Sequence, residues 1–160
     1  MQKHILSVLV ENQPGVLSRV AGLFSRRGYN IDSLSVGETE NPAYSRMTIV
    51  VHGDDLTLEQ IKKQLAKLVD VIKVVELKEE DAVQRELALI KVKADSKART
   101  SVIEVVAVFR AKIIDVATES LTVEITGDKQ KIAAFIEIMK TYEIKEIVRT
   151  GLTAIGRSYI

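Results

Sequence analysis

From His4 to Val10 the chain is a nearly continuous apolar run, short enough to predict a strand buried on both faces. Breaker chemistry follows at Glu11-Asn12-Gln13-Pro14-Gly15. Val16, Leu17, Val20, Leu23 and Phe24 then recur at helical spacing, with Arg19, Arg26 and Arg27 on the other side and Gly28 closing the helix. Tyr29 to Glu38 and Tyr44 to His52 predict two strands around a hairpin connection at Thr39-Glu40-Asn41-Pro42. After Gly53-Asp54-Asp55, the spacing of Leu58, Ile61, Leu65 and Leu68 predicts a second helix, and Val71 to Leu77 a closing strand. The order β-α-β-β-α-β is that of a ferredoxin-like unit, an antiparallel sheet with both helices on one face.

Lys78-Glu79-Glu80-Asp81 is polar and acidic, and a linker is expected over 78–84, between a first domain at 1–77 and a second at 85–160. The pattern then restarts. Arg85 to Ala94 predicts a strand, and Val102, Val105, Val106 and Phe109 a helix face. Lys112 to Val116 and Leu121 to Gly127 predict a strand pair, Ile132, Phe135, Ile136 and Met139 a last helix, and Ile144 to Arg149 a final strand before the tail Gly151 to Ile160. The halves echo each other in residues as well. Leu23-Phe24 with Ile31-Asp32 is answered by Val108-Phe109 with Ile114-Asp115, and Gly53-Asp54 by Gly127-Asp128. The expected fold class is therefore α+β, two tandem βαββαβ units.

Composition narrows the function classes. The 160 residues carry 23 Lys+Arg against 22 Asp+Glu, a net charge of +1, which argues against a bulk electrostatic grip on nucleic acid or an anionic membrane. Zero cysteine removes disulfides and thiolate catalysis. No run of 18 apolar residues occurs and no leader pattern is visible, so a cytoplasmic, soluble chain is expected.

Catalytic constellations are missing. His4 and His52 have no acid or nucleophile at a recognisable spacing, no His-x-x-x-His or Gly-rich phosphate loop is present, and Asp54-Asp55 and Glu79-Glu80-Asp81 read as a helix start and a solvated linker. An RNA-binding sheet of this topology would carry aromatics in its central strands, where this chain has Ser7, Val8, Leu9, Thr48, Ile49 and Val50. What remains is the loop Asn12-Gln13-Pro14-Gly15-Val16. A helix N-terminus presents free N–H groups and a partial positive charge to a small carboxylate, Gly15 permits close backbone approach, and Asn12 and Asn30 carry amides that both donate and accept. An α-amino acid suits such a place; turn and cap roles for the same residues are the alternative. Strands apolar on both faces point to a further cover, another chain or the second unit, and Arg19, Arg26 and Arg27 form either a partner-facing or a solvated face.

The runs Ile5-Leu6-Ser7-Val8-Leu9-Val10-Glu11-Asn12, Pro14-Gly15-Val16-Leu17-Ser18-Arg19-Val20, Gly22 to Ile31 and Ser45-Arg46-Met47-Thr48 resemble the regulatory, or small, subunits of acetolactate synthase. So do Arg85 to Val92, Phe109 to Val116 and Arg149-Thr150-Gly151 in the second half. The resemblance implies an N-terminal ACT domain, which binds amino acids, and a second domain of related topology. It implies a homodimer whose ACT sheets join side by side, with valine or another branched-chain product at the interface. The family's effector site falls on Asn12, Pro14, Gly15, Val16 and Leu17 of one subunit and on Asn30 and Ile31 of the facing one. A non-catalytic chain is implied, one that activates a large catalytic subunit and confers end-product inhibition in branched-chain amino acid biosynthesis. The chain itself would hold no cofactor; thiamine diphosphate, Mg²⁺ and FAD would belong to the large subunit. A free-standing amino-acid sensor of another pathway is the competing expectation.

Overall fold

The computed structural model describes residues 2–158 and divides them into two compact units, the first running to Val83 and resuming at Leu152, the second spanning Gln84–Gly151. In the first unit β1 (Gln2–Glu11), α1 (Val16–Arg26), β2 (Ile31–Glu38), β3 (Tyr44–Gly53), α2 (Asp55–Ala66) and β4 (Val71–Leu77) follow in the expected order. The sheet is antiparallel with strand order β2-β3-β1-β4, so β2 and β4 are its edges. Alternation assigns the faces: Leu6, Val8 and Val10 of β1 and Met47, Ile49 and Val51 of β3 lie beneath Val16, Val20, Leu23 and Phe24 of α1 and Leu58, Ile61 and Leu65 of α2. Two details differ from the periodic reading. Leu17 falls off the α1 stripe and is 45% exposed, and Leu68 packs onto the core from the turn after α2, which ends at Ala66.

The opposite face of this sheet was expected to need another chain or the second unit as its cover. Part of that cover is the chain's own tail, which the expected second domain at 85–160 included and which groups with the first unit. Ile5, Val50 and Leu77 cluster with Ala82, Leu152 and Ala154, and half-buried Val75 joins them. Polar ties set the placement: Ser35 Oγ donates to the Leu152 carbonyl (3.2 Å) and meets Thr153 Oγ1 (3.0 Å), Ala154 N–H reaches Thr48 Oγ1 (3.4 Å), and Arg157 N–H donates to Asp81 O (2.8 Å). Residues 153–156 form a short strand, β9 (Thr153–Gly156), that apolar periodicity did not reveal because it is four residues long and buries only an alanine. Tyr159 and Ile160 lie outside the described residues.

The second unit repeats the order with β5 (Ala82–Lys93), α3 (Arg99–Val108), β6 (Lys112–Val116), β7 (Ser120–Gly127), α4 (Lys129–Met139) and β8 (Ile144–Arg149), strand order β6-β7-β5-β8. One turn of 3-10 helix, Glu79–Asp81, occupies the expected linker, and β5 begins at Ala82. Ala88, Ile90, Val92, Leu121, Val123 and Ile125 form the sheet side of the core. Val102, Val106, Ile132, Phe135 and Met139 form its helix side, where Phe109 meets Phe135 edge-on at 5.2 Å. The far face here carries Lys91–Glu146 and Lys93–Glu143 pairs at 3.7 and 3.9 Å beside Leu89 and exposed Val148.

The Gly-Asp echo is structural: Asp54 accepts from Thr57 N–H (2.8 Å) and Asp128 from Lys131 N–H (2.9 Å), each capping a helix. The Phe24/Phe109 echo is not. Tyr29 N–H closes on Phe24 O at the end of α1, and Ala111 N–H closes on Val106 O at the end of α3, so Phe24 corresponds to Val106. Among the described residues no helix is long and apolar enough to cross a membrane.

Two outcomes follow from these contacts. Leu152→Ala is expected to cost about 2–3 kcal/mol in urea unfolding, with faster amide exchange at Ile5 and Val50 and unchanged exchange at Val123; equal loss in both units would contradict the tail's assignment. The Thr57 N–H bond holds the Asp54 carboxyl below the usual carboxylate range. Its folded value lies under its unfolded value of about 4, so the cap's contribution is present above that pH and disappears as pH falls through the folded value. The stability gap between the native chain and Asp54→Ala should therefore be full at pH 7 and close on acidification.

Candidate effector-binding site

The loop singled out in the sequence joins the C-terminal end of β1 to α1. Three devices hold it open. Asn12 N–H donates to Ala43 O (2.8 Å) and its Nδ2 to Pro42 O (3.0 Å), which fastens the loop to the β2–β3 hairpin. That hairpin is itself ordered by Asn41 Oδ1, which accepts from Ala43 N–H (3.0 Å), and by the Thr39 hydroxyl, which donates to Asn41 O (2.9 Å). At the other side, Arg19 Nε donates to Asp70 Oδ2 (2.5 Å), while Glu11 N–H is bound to Asp70 O (2.9 Å). This hydrogen bond pushes the Arg19 pKa further up, so the guanidinium is committed to Asp70 as a cation.

Gly15 is the hinge of the arrangement. It precedes α1 at φ +84°, a conformation that favours glycine, and a Cβ there would stand 2.9 Å from Arg19 Nη1. Its position leaves the helix start uncapped by any side chain. Val16 N–H makes a long bond to Gln13 O (3.4 Å) and Arg19 N–H is bound to Gly15 O (3.0 Å); among the described residues the N–H groups of Leu17 and Ser18 find no partner. The contrast with the other helices is chemical. Asp54 and Asp128 place a carboxylate on the starts of α2 and α4, and Asp95 accepts from Lys97 and Ala98 N–H ahead of α3. At α1 that place is open, and a carboxylate from outside would find two N–H donors and the positive end of the helix dipole.

Within one chain the expected site residues form two groups. Asn12, Pro14 and Gly15 are exposed in the loop, Leu17 is exposed on the first turn beside them, and Val16 is buried beneath as the loop's anchor. Asn30 and Ile31 lie at the opposite end of the sheet, where Ile31 pairs with Val51 and Val51 with His4, whereas Glu11 pairs with Tyr44 at the loop end. From His4 to Glu11 is seven strand steps of about 3.3 Å, roughly 23 Å. One chain therefore cannot bring the groups together. Asn30 Nδ2 donates to Asp32 Oδ1 (3.0 Å), which leaves its carbonyl oxygen available, and Ile31 is half-buried at the core's edge.

Pro42, Ala43 and Asp70 hold the site and went unseen in the sequence, since they lie about 30 and 58 residues from Asn12 and no local motif links them. The histidines are taken up elsewhere: buried His4 sits between Gly53 O (3.1 Å) and Glu76 (3.3 Å), and His52 is bonded to Asp32. Of the three arginines expected on one face, Arg19 faces Asp70, while Arg26, the last residue of α1, and Arg27 after it rim a depression with Gln64 and Lys67.

Known proteins resemble this chain in sequence and in fold. Residues 6–73 match the family described as the AHAS small subunit-like ACT domain, and residues 85–158 that described as the small subunit of acetolactate synthase. The chain is 56% identical to the acetolactate synthase small subunit of Mycolicibacterium smegmatis, over 96% of this chain and 91% of that one. It is 55% identical to a probable acetolactate synthase small subunit of Archaeoglobus fulgidus, over 97% of each. The crystal structure of the acetolactate synthase small subunit from Thermotoga maritima superposes with a TM-score of 0.92 at 47% identity, covering all of both chains.

Gly15→Ala is expected to destabilise the first unit by about 1–2 kcal/mol in urea unfolding, because it strains the left-handed position and displaces Arg19. A neutral result would mean that the loop adopts another conformation in solution.

Proposed function

The chain belongs to the family of acetolactate synthase small subunits, and on that basis we propose that it is the non-catalytic regulator of a large catalytic subunit, activating it and conferring inhibition by valine or another branched-chain amino acid. The uncapped start of α1 is the observation that carries the effector reading. In this proposal the effector's carboxylate accepts from the Leu17 and Ser18 N–H groups, Asn12 Oδ1 receives its ammonium, and the branched side chain lies against Leu17. Thiamine diphosphate, Mg²⁺ and FAD belong to the partner, which performs the chemistry.

A second copy completes the site. Two β2 edge strands paired antiparallel about a two-fold axis set the beginning of one beside the end of the other, which carries the partner copy's Asn30 and Ile31 toward the hairpin end where the loop stands. Val36, 47% exposed on β2, and half-buried Leu34 would be covered in such a pair. An effector held between two copies then binds one packing of the dimer more tightly than another. A coupling of about 1–3 kcal/mol gives inhibition of roughly 5- to 150-fold in affinity.

The decisive assay measures acetolactate formation by the catalytic subunit of the same organism, with and without this chain and with increasing valine, leucine or isoleucine. Activation by the chain and inhibition by a branched-chain amino acid are expected; a chain that binds an amino acid without altering acetolactate formation would be a sensor of another pathway. The shared site is tested by mixing. Asn12→Ala and Asn30→Ala dimers should each bind valine more weakly by about 1–3 kcal/mol in calorimetry. In a mixed dimer both changes fall in one site, so co-refolding the two variants should restore one native-affinity site per mixed dimer. Absence of any restoration would contradict a site built from two copies.

A further inference from the structure

On the sheet face opposite the helices, the tail and the strands β1, β3 and β4 enclose a cleft of about 500 Å³, separate from the α1 loop. Its floor is apolar and buried: Leu77 and Ala154 are nearly inaccessible, with Val75 beside them. Its rim is charged in one sense. Arg46 of β3, Lys73 of β4 and Arg157 of the tail face a single carboxylate, Glu40 of the hairpin.

Other arginines of this chain that approach a buried carboxylate are paired with it, as Arg19 is with Asp70 and Arg149 with Glu86 (2.6 Å). Arg46 and Arg157 make no ion pair among the described residues, Glu40 included. Arg46 Nη1 donates to Ser7 Oγ (3.1 Å), and Ser7 is 5% exposed on the cleft floor, so its own hydroxyl proton remains for an acceptor in the cleft. Two guanidinium forks and a buried hydroxyl around one hollow match clustered anionic oxygens. The volume exceeds what a bare inorganic anion fills and is that of a small-molecule site, and the Val75, Leu77 and Ala154 floor suits a short carbon body.

We propose that this cleft binds a small organic dianion, a phosphate monoester or a dicarboxylate, with its charged group between Arg46 and Arg157 and its carbon body on the Val75–Leu77–Ala154 floor. The site does not depend on the effector reading, since it shares no residue with the α1 loop. The hairpin touches both: it holds Asn12 by Pro42 O on one side and contributes Glu40 to the cleft on the other.

Calorimetry of the full chain at constant ionic strength tests it, with glycerol 3-phosphate and succinate as the two dianions and glycerol as the neutral control. Saturable binding of at least one dianion is expected, weakened roughly tenfold or more in both Arg46→Gln and Arg157→Gln and unchanged in Arg26→Gln, whose guanidinium lies on the helix side. Which dianion binds identifies the source of the charge. Both arginines are exposed, so the variants should melt with the native chain; a variant that does not is replaced by the Lys substitution at the same position. No saturation by either dianion up to about 10 mM, or weakening by Arg26→Gln equal to that of the cleft variants, would overturn the proposal.

Discussion

The first unit is organised by one strand that has no solvent face. Leu6, Val8 and Val10 of β1 are buried toward the helices, and Ile5 and Ser7 toward the other side. A central strand apolar on both sides forces the sheet to be covered twice. α1 and α2 supply one layer. The tail from Leu152 to Ala154 supplies part of the other, packed on Ile5, Val50 and Leu77 and placed by the hydroxyls of Ser35 and Thr48. With the helix face covered and the far face covered in part, the β2 edge and the end of the sheet where β1 turns into α1 stay open. These are the places where a second copy and a ligand are proposed.

Much of this is legible in the amino-acid sequence. Apolar period locates α1 to α4 and β1 to β8, because those elements bury a complete stripe or alternate cleanly, as Val16, Val20, Leu23 and Phe24 or Ala88, Ile90 and Val92 do. Elements that are placed by tertiary contact were not legible. β9 buries one alanine and is positioned by hydroxyl partners more than 100 residues away. Leu17 looked like a core residue by hydrophobicity and lies on the surface by angle, where an effector's side chain would use it. The misleading Phe24/Phe109 echo arose because similar residues recur near helix ends; the backbone bonds at Phe24 and Val106 decide the correspondence.

The loop itself was legible in kind, as a glycine-bearing helix entrance with an amide beside it. Its supports were not, since the hairpin carbonyls of Pro42 and Ala43 and the carboxylate of Asp70 come from distant sequence. The structure adds a comparison within the chain. The other three helix entrances have a carboxylate of their own, and α1 has Gly15. That difference is what a ligand-supplied cap requires.

The most direct measurement is of the Leu17 and Ser18 amide resonances in a nitrogen-15 labelled chain during a valine titration. A carboxylate accepting from the start of α1 predicts downfield shifts of those two amide protons, saturating with binding, together with changes at Asn30 and Ile31. Saturable valine binding that leaves the Leu17 and Ser18 amides unmoved would contradict the placement of the effector on this helix.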